Sequence, residues 1–186
     1  MTVVFLDRDG VINDNSANYY VKSWEEFTFL PGAKEAVSRL AERDDVRIFI
    51  VSNQAGVGKG EVSAERVEEI NQQMKEELEA AGGRVDGVYY CPHTPDDRCS
   101  CRKPESGLLE RAMQECGVKS DRRFMVGDAL SDVQAGRKAS AVSIMVKTGR
   151  GEAQLKSLKA DAPGPDHVAE DISEAVEFIL NFGSHV

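Results

Sequence analysis

Short apolar runs alternate with helix-length stretches along this chain, and few folds satisfy that pattern. Val3-Val4-Phe5-Leu6 is the first run and Arg47-Ile48-Phe49-Ile50-Val51 the second. Further β-rich runs lie at 85–90, 123–126 and 141–146. Between them, 31–43 reads as a helix, with Pro31 in its first turn and Ala33, Ala36, Val37 and Leu40 at helical spacing. Ser63 can cap a long helix that closes at Gly82-Gly83. Residues 106–116 read as a helix closed by Gly117, and 172–182 as an amphipathic helix. Strands alternating with helices predict an α/β fold with a parallel sheet covered on both faces. Strands buried on both sides must be apolar on both sides, as these are. Residues 14–24, 91–103 and 149–164 lack such patterning and are expected to be irregular.

The 186 residues carry no internal repeat and no second core, so 1–186 is expected to form a single domain. Residues 1–7 have no basic region and meet an acid too soon for a signal peptide. No apolar run approaches the roughly 18 residues of a membrane helix. A cytoplasmic protein without a membrane partner is expected. Lys plus Arg is 23 against 32 for Asp plus Glu, a formal net charge of -9. That balance opposes a nonspecific grip on nucleic acid. No long exposed apolar helix demands a partner, so a monomer is expected.

In a parallel sheet, ligands sit beyond the carboxyl ends of the strands. The first run ends in Asp7-Arg8-Asp9-Gly10. Carboxylates this close repel unless a cation or a proton settles them, and Mg²⁺ suits such a pair. A plain turn needs only Asp9-Gly10. The second run ends in Ser52-Asn53-Gln54, whose hydroxyl and amides either hold an oxyanion or make a polar loop. The following Gly56-Val57-Gly58-Lys59-Gly60 fails as a phosphate loop, which needs Gly at 53 and Ser or Thr at 60. It reads as a flexible turn. Arg102-Lys103-Pro104 offers two cations for a phosphate clamp or a solvated basic pair. Gly127-Asp128 and Asp132 leave a strand and enter a helix, where acids also serve as caps. Each set alone has a bland explanation, but together they meet on one rim of the sheet.

These four sets, in this order, resemble the haloacid dehalogenase superfamily of phosphotransferases, with Val11 where many members have Thr. The resemblance implies a Rossmann-like three-layer sandwich with a mostly parallel sheet. It implies Asp7 as a nucleophile that forms an aspartyl-phosphate, and Asp9 as general acid and base. It further implies Mg²⁺ on the Asp7 and Asp128 side chains and the Asp9 carbonyl. Ser52 and Lys103 would hold phosphoryl oxygens, and Asp132 would orient Lys103 or a metal water.

Cys91, His93, Cys99 and Cys101 form a separate signal. Three sulfurs and an imidazole make a tetrahedral Zn²⁺ set with no position left for water, hence a structural site. The intervening stretch is too polar to order itself, so a zinc-stapled loop at 91–101 would aim Arg102 and Lys103. Cys116 is expected in the core, and His167 and His185 on the surface. With Tyr89-Tyr90-Cys91-Pro92-His93 and Cys101-Arg102-Lys103-Pro104, the chain is similar to the subgroup of heptose-bisphosphate and histidinol-phosphate phosphatases. Members lack a large cap domain, and short loops select the substrate. By resemblance these are 13–21, with Tyr20, together with Asn53, Gln54 and Arg102, which would meet a second phosphate. The implied substrate is a small phosphorylated sugar, foremost heptose 1,7-bisphosphate cleaved at the 7-phosphate. Histidinol phosphate is the nearest alternative. A polynucleotide 3′-phosphatase and a noncatalytic zinc-stapled binding module are more distant ones.

Overall fold

The computed structural model describes residues 1–17, 19–120, 122–159 and 162–183. The chain runs through β1 (Thr2–Leu6), a ribbon of β2 (Asn13–Asp14) and β3 (Thr28–Phe29), then α1 (Ala33–Ala41) and β4 (Val46–Asn53). Next come α2 (Ala55–Gly58), α3 (Ala64–Ala80), β5 (Gly87–Cys91), α4 (Gly107–Glu115) and β6 (Arg122–Gly127). It ends with α5 (Leu130–Lys138), β7 (Val142–Val146), α6 (Gly151–Ser157), β8 (His167–Ala169) and α7 (Ile172–Asn181). Six strands form a parallel sheet in the order β5-β4-β1-β6-β7-β8.

Alternation along the central strand divides the core. Val3 and Phe5 pack with Leu108, Leu109 and Ala112 of α4 and Ala135 of α5. Val4 and Leu6 pack on the other face with residues of α1, α3 and α7. Each fully buried side chain of this size contributes about 1.5–3 kcal/mol. Two-sided burial therefore fixes the strand's position as well as its register. Leu6 pairs with Ile50 of β4 and Val126 of β6. The residues just past those pairs leave the sheet side by side. The order also reverses direction around β1, which creates the crevice where α/β sheets bind ligands.

Several sequence expectations need correction. The supposed flexible turn after β4 is the helical turn α2, and it sets Lys59 at the rim. Residues 149–164, expected to be irregular, contain α6. The strand β8, at three residues, is too short to leave an apolar pattern in the sequence, and it extends the sheet to six strands. Part of the stretch 14–24 is ordered by pairing of Asp14 with Thr28. Cys116 is exposed rather than in the core, because it lies just past the end of α4. His167 is half-buried against the Phe178 ring, 3.9 Å away and nearly parallel. His185 lies outside the described residues.

Candidate active site

Lys103 is 3% exposed, and its ammonium sits among three acceptors. They are Asp7 Oδ1 at 2.9 Å, Asp132 Oδ1 at 2.6 Å and the Val51 carbonyl at 2.9 Å. Burial works against the ammonium, but Asp132 and Asp7 outweigh it and raise the Lys103 pKa. The Asp132 carboxylate also accepts from the Ala129 N–H at 3.0 Å, which ties the start of α5 to the lysine. Gly127 makes room for this contact, since a Cβ there would overlap the Asp132 side chain.

Asp7, Asp128 and Asp132 are all buried, with carboxylate oxygens within 4.8 Å of one another. Lys103 contacts Asp7 and Asp132 and Arg150 contacts Asp128, so two cations face three acids. Burial raises the Asp7 carboxyl to about 7, against the pull of Lys103, and the neighbouring Asp132 and Asp9 add to the rise. Burial also raises Asp128 and Asp132. Such a cluster favours a further cation. Hard oxygen donors without sulfur or imidazole suit Mg²⁺. The Asp9 side chain faces elsewhere. It takes Arg8 Nη2 at 3.1 Å on both oxygens, Asn13 Nδ2 at 3.1 Å and Gln54 Nε2 at 2.7 Å. Burial opposes ionisation of Asp9, but Arg8 and the hydrogen bonds from Asn13 and Gln54 leave its carboxyl below the usual range.

The remaining expected site residues divide by task. Ser52 is buried and accepts from Gln54 Nε2 at 3.3 Å. Gln54 therefore bridges the serine and Asp9. Asn53 lines the cleft, yet its amide clasps the Lys103 backbone, donating to the carbonyl at 2.9 Å and accepting from the N–H at 3.0 Å. Both of its polar atoms are engaged in positioning the lysine. Tyr20 packs over Gly56, and the Lys59 ammonium lies 5.7 Å from its ring centre. Tyr20, Lys59, Arg102, Lys103 and Arg150 all line a cleft of about 350 Å³ that also reaches Asp9. Four cations thus face one opening in a chain of net charge -9.

Sequence reasoning gave no role to Arg8, Asn71 or Arg150. Arg8 is wholly buried beneath Asp9 and is held by Asn71 Oδ1 of α3 at 2.9 Å. A partner 63 residues away leaves no local signature. Arg150 forks onto Asp128, with Nη2 at 3.0 Å from Oδ1 and Nε at 3.3 Å from Oδ2. It follows the apolar strand β7, so the rule that flagged the other strand ends would have found it.

Cys91, His93, Cys99 and Cys101 converge as expected. Cys101 Sγ lies 3.2 Å from Cys91 Sγ, 3.4 Å from Cys99 Sγ and 3.3 Å from His93 Nδ1. Cys91 Sγ is 3.6 Å from Cys99 Sγ and 3.5 Å from His93 Nδ1. Zinc bonds of roughly 2.0–2.3 Å at tetrahedral angles give ligand separations of this size. Burial opposes ionisation of Cys99, but the Arg102 backbone and the thiols of Cys101 and Cys91 bring it down to about 7. The donor set fits Zn²⁺. Arg102 extends from this loop and donates to the His93 carbonyl at 3.2 Å.

The comparisons with known proteins agree with this geometry. A family profile described as HAD-hydrolase-like matches residues 100–175. The D-glycero-beta-D-manno-heptose-1,7-bisphosphate 7-phosphatase of Bordetella bronchiseptica is 35% identical over 180 residues, covering 97% of this chain and 98% of its own. The D-glycero-D-manno-heptose-1,7-bisphosphate 7-phosphatase of Chlorobaculum tepidum is 38% identical over 186 residues, covering 94% and 92%. The crystal structure of the D,D-heptose 1,7-bisphosphate phosphatase from B. bronchiseptica, complexed with magnesium and phosphate, superposes with a TM-score of 0.88. That pair shares 34% identity, with 98% of this chain and 100% of the other covered. Because identity above 30% runs along nearly the whole of both chains and the folds coincide, this chain belongs to the D-glycero-D-manno-heptose 1,7-bisphosphate 7-phosphatase family of HAD-like hydrolases.

Proposed function

We propose that this chain is a Mg²⁺-dependent phosphatase that hydrolyses D-glycero-D-manno-heptose 1,7-bisphosphate at the 7-phosphate. One observation carries the reading. A buried carboxylate, Asp7, meets a buried ammonium, Lys103, beside Asp128, and that lysine is itself part of the wall of a cationic cleft. Asp7 is the nucleophile. Its free oxygen attacks phosphorus in line, the bond from phosphorus to the sugar oxygen breaks, and an aspartyl-phosphate forms. Asp9 protonates the departing sugar oxygen. The resulting Asp9 carboxylate then takes a proton from water, whose oxygen attacks the same phosphorus and frees Asp7 and inorganic phosphate. Splitting one hydrolysis into two displacements lowers each barrier.

The Arg8 charge and the hydrogen bonds that hold Asp9 low keep it ionised, the form in which it can accept a proton from water. An arriving phosphate dianion favours the protonated form, because negative charge nearby raises carboxyl proton affinity. Ser52 and Lys103 hold phosphoryl oxygens, with Asp132 keeping the lysine charged and aimed. Asp7, Asp128 and the Asp9 carbonyl would hold Mg²⁺, which supplies charge stabilisation for the transferring phosphoryl group.

Arg102 and Lys59 add two cations to the cleft wall beyond the lysine that holds Asp7 and call for a second anion. A sugar bisphosphate provides it, whereas histidinol phosphate would bring a cationic amine. In this reading the enzyme is a monomeric, single-domain cytoplasmic protein acting on a small sugar phosphate, with neither nucleic acid nor membrane as partner. The test is Mg²⁺-dependent phosphate release from both anomers of the heptose bisphosphate and from histidinol phosphate at matched concentrations. The expected kcat/KM for a heptose bisphosphate lies within about 10⁴–10⁸ M⁻¹s⁻¹ and roughly a hundredfold above histidinol phosphate. A higher value for histidinol phosphate would overturn the substrate assignment and leave the chemistry standing.

Structural zinc at Cys91, His93, Cys99 and Cys101 belongs to the same reading. Elemental analysis after mild chelation should find about one zinc per chain, as one four-ligand site requires. Cys99→Ser should lower both zinc content and catalysis, because the loop delivers Arg102 and Lys103. A fully active protein free of zinc would refute the structural role.

A further inference from the structure

The loop after β7 crosses the acidic cluster at its closest point. Thr148 Oγ1 donates to the Gly10 carbonyl at 2.7 Å, which fastens the loop to the residues following Asp9. Gly149 has φ +57, and a Cβ there would overlap both Asp128 and Gly10. Arg150 then reaches Asp128 in two ways. Its backbone N–H donates to Oδ2 at 2.8 Å, and its guanidinium spans both oxygens. The carboxylate is wholly buried, whereas the Arg150 side chain is 44% exposed and lines the cleft.

We propose that Arg150 is a place-holding cation: its guanidinium neutralises Asp128 until Mg²⁺ arrives and then yields the carboxylate to the metal. This rests on the magnesium reading above. A dication about 2 Å from a carboxylate oxygen and a guanidinium nitrogen about 3 Å from it would lie a few ångströms apart and repel strongly. Only one can hold Asp128. The guanidinium can leave because it opens onto the cleft, and the Arg150 N–H keeps Oδ2 in position after it has gone. Arg150 is therefore a positioning residue for Asp128 whose side chain competes with the metal. A purely structural prop would have the opposite effect, since its loss would weaken metal binding.

The test is calorimetric titration of Mg²⁺ into the full chain with its zinc cluster loaded and no substrate present. Wild type, Arg150→Lys and Arg150→Gln are compared. Lysine keeps the charge but replaces a two-pronged contact with a point charge. For a partly exposed pair, the expected gain in Mg²⁺ affinity is about threefold for Arg150→Lys and about tenfold for Arg150→Gln. Affinity in Arg150→Lys equal to wild type, or weaker in either variant, would overturn the proposal. Absence of Mg²⁺ binding in all three proteins would remove the magnesium reading and the place-holding role together. Tighter binding in both variants supports both.

Discussion

Asp7→Asn is expected to lower phosphate release by four orders of magnitude or more, with the fold retained. The amide matches the carboxylate in size but is no nucleophile at phosphorus, so no aspartyl-phosphate forms. Losing one member of a catalytic unit costs about as much as losing the whole unit. Retention of the fold follows from the surroundings. Burial holds the Asp7 carboxyl up at about 7, so ionised Asp7 is a net cost to the folded chain. Lys103 keeps Asp132 and the Val51 carbonyl when Asp7 becomes neutral. Steady-state phosphate release at saturating Mg²⁺, alongside a thermal melt, checks both halves. Activity within tenfold of wild type would sink the nucleophile assignment.

Lys103→Met should be the more damaging change to stability, at about 3–5 kcal/mol, the usual cost of stranding buried charge. Methionine fills similar space, so little of the loss comes from packing. The cost arises because Asp7 and Asp132 lose the ammonium that both contact. Catalysis should fall by roughly 10²–10³, as when a preorganised donor to a transferring group is removed. Urea denaturation gives the first quantity, and kcat at saturating Mg²⁺ the second. Adding Asp132→Asn to the methionine variant should restore part of the stability, because the two residues interact directly. A loss below about 1 kcal/mol for Lys103→Met would contradict the electrostatic account of this site.

The rim residues were legible because a parallel sheet gathers every strand end on one side. Asp7, Ser52 and Asp128 stand at the ends of apolar runs, Asp132 follows in the first turn of α5, and Lys103 follows the loop 91–101 that continues β5. Their convergence therefore needed no knowledge of individual contacts. The illegible parts depend on rotamer or on distant partners. Nothing local says that the Asn53 amide turns to the Lys103 backbone, or that Arg8 points inward to Asn71. The helical turn α2 was hidden by three glycines within 56–60, which suggest freedom where Gly58 is pressed against the Pro92 carbonyl. Strand β8 has only three residues, and its first, His167, is polar. Cys116 was misjudged because composition says only that free cysteines tend to be buried.

The crowding of Asp7, Asp128 and Asp132 has a consequence beyond chemistry. Acids that resist being brought together act as a spring against closure of β1 onto β6, the pairing that fixes Asp7 beside Asp128. A divalent ion bound only by the closed form relaxes that spring. Linkage makes the gain grow with supply, reaching about 2.7 kcal/mol when the free ion is a hundred times its dissociation constant. Ambient magnesium would then govern how long the folded chain survives proteolysis as well as how fast it works, so that scarcity thins the enzyme population before it slows any single molecule.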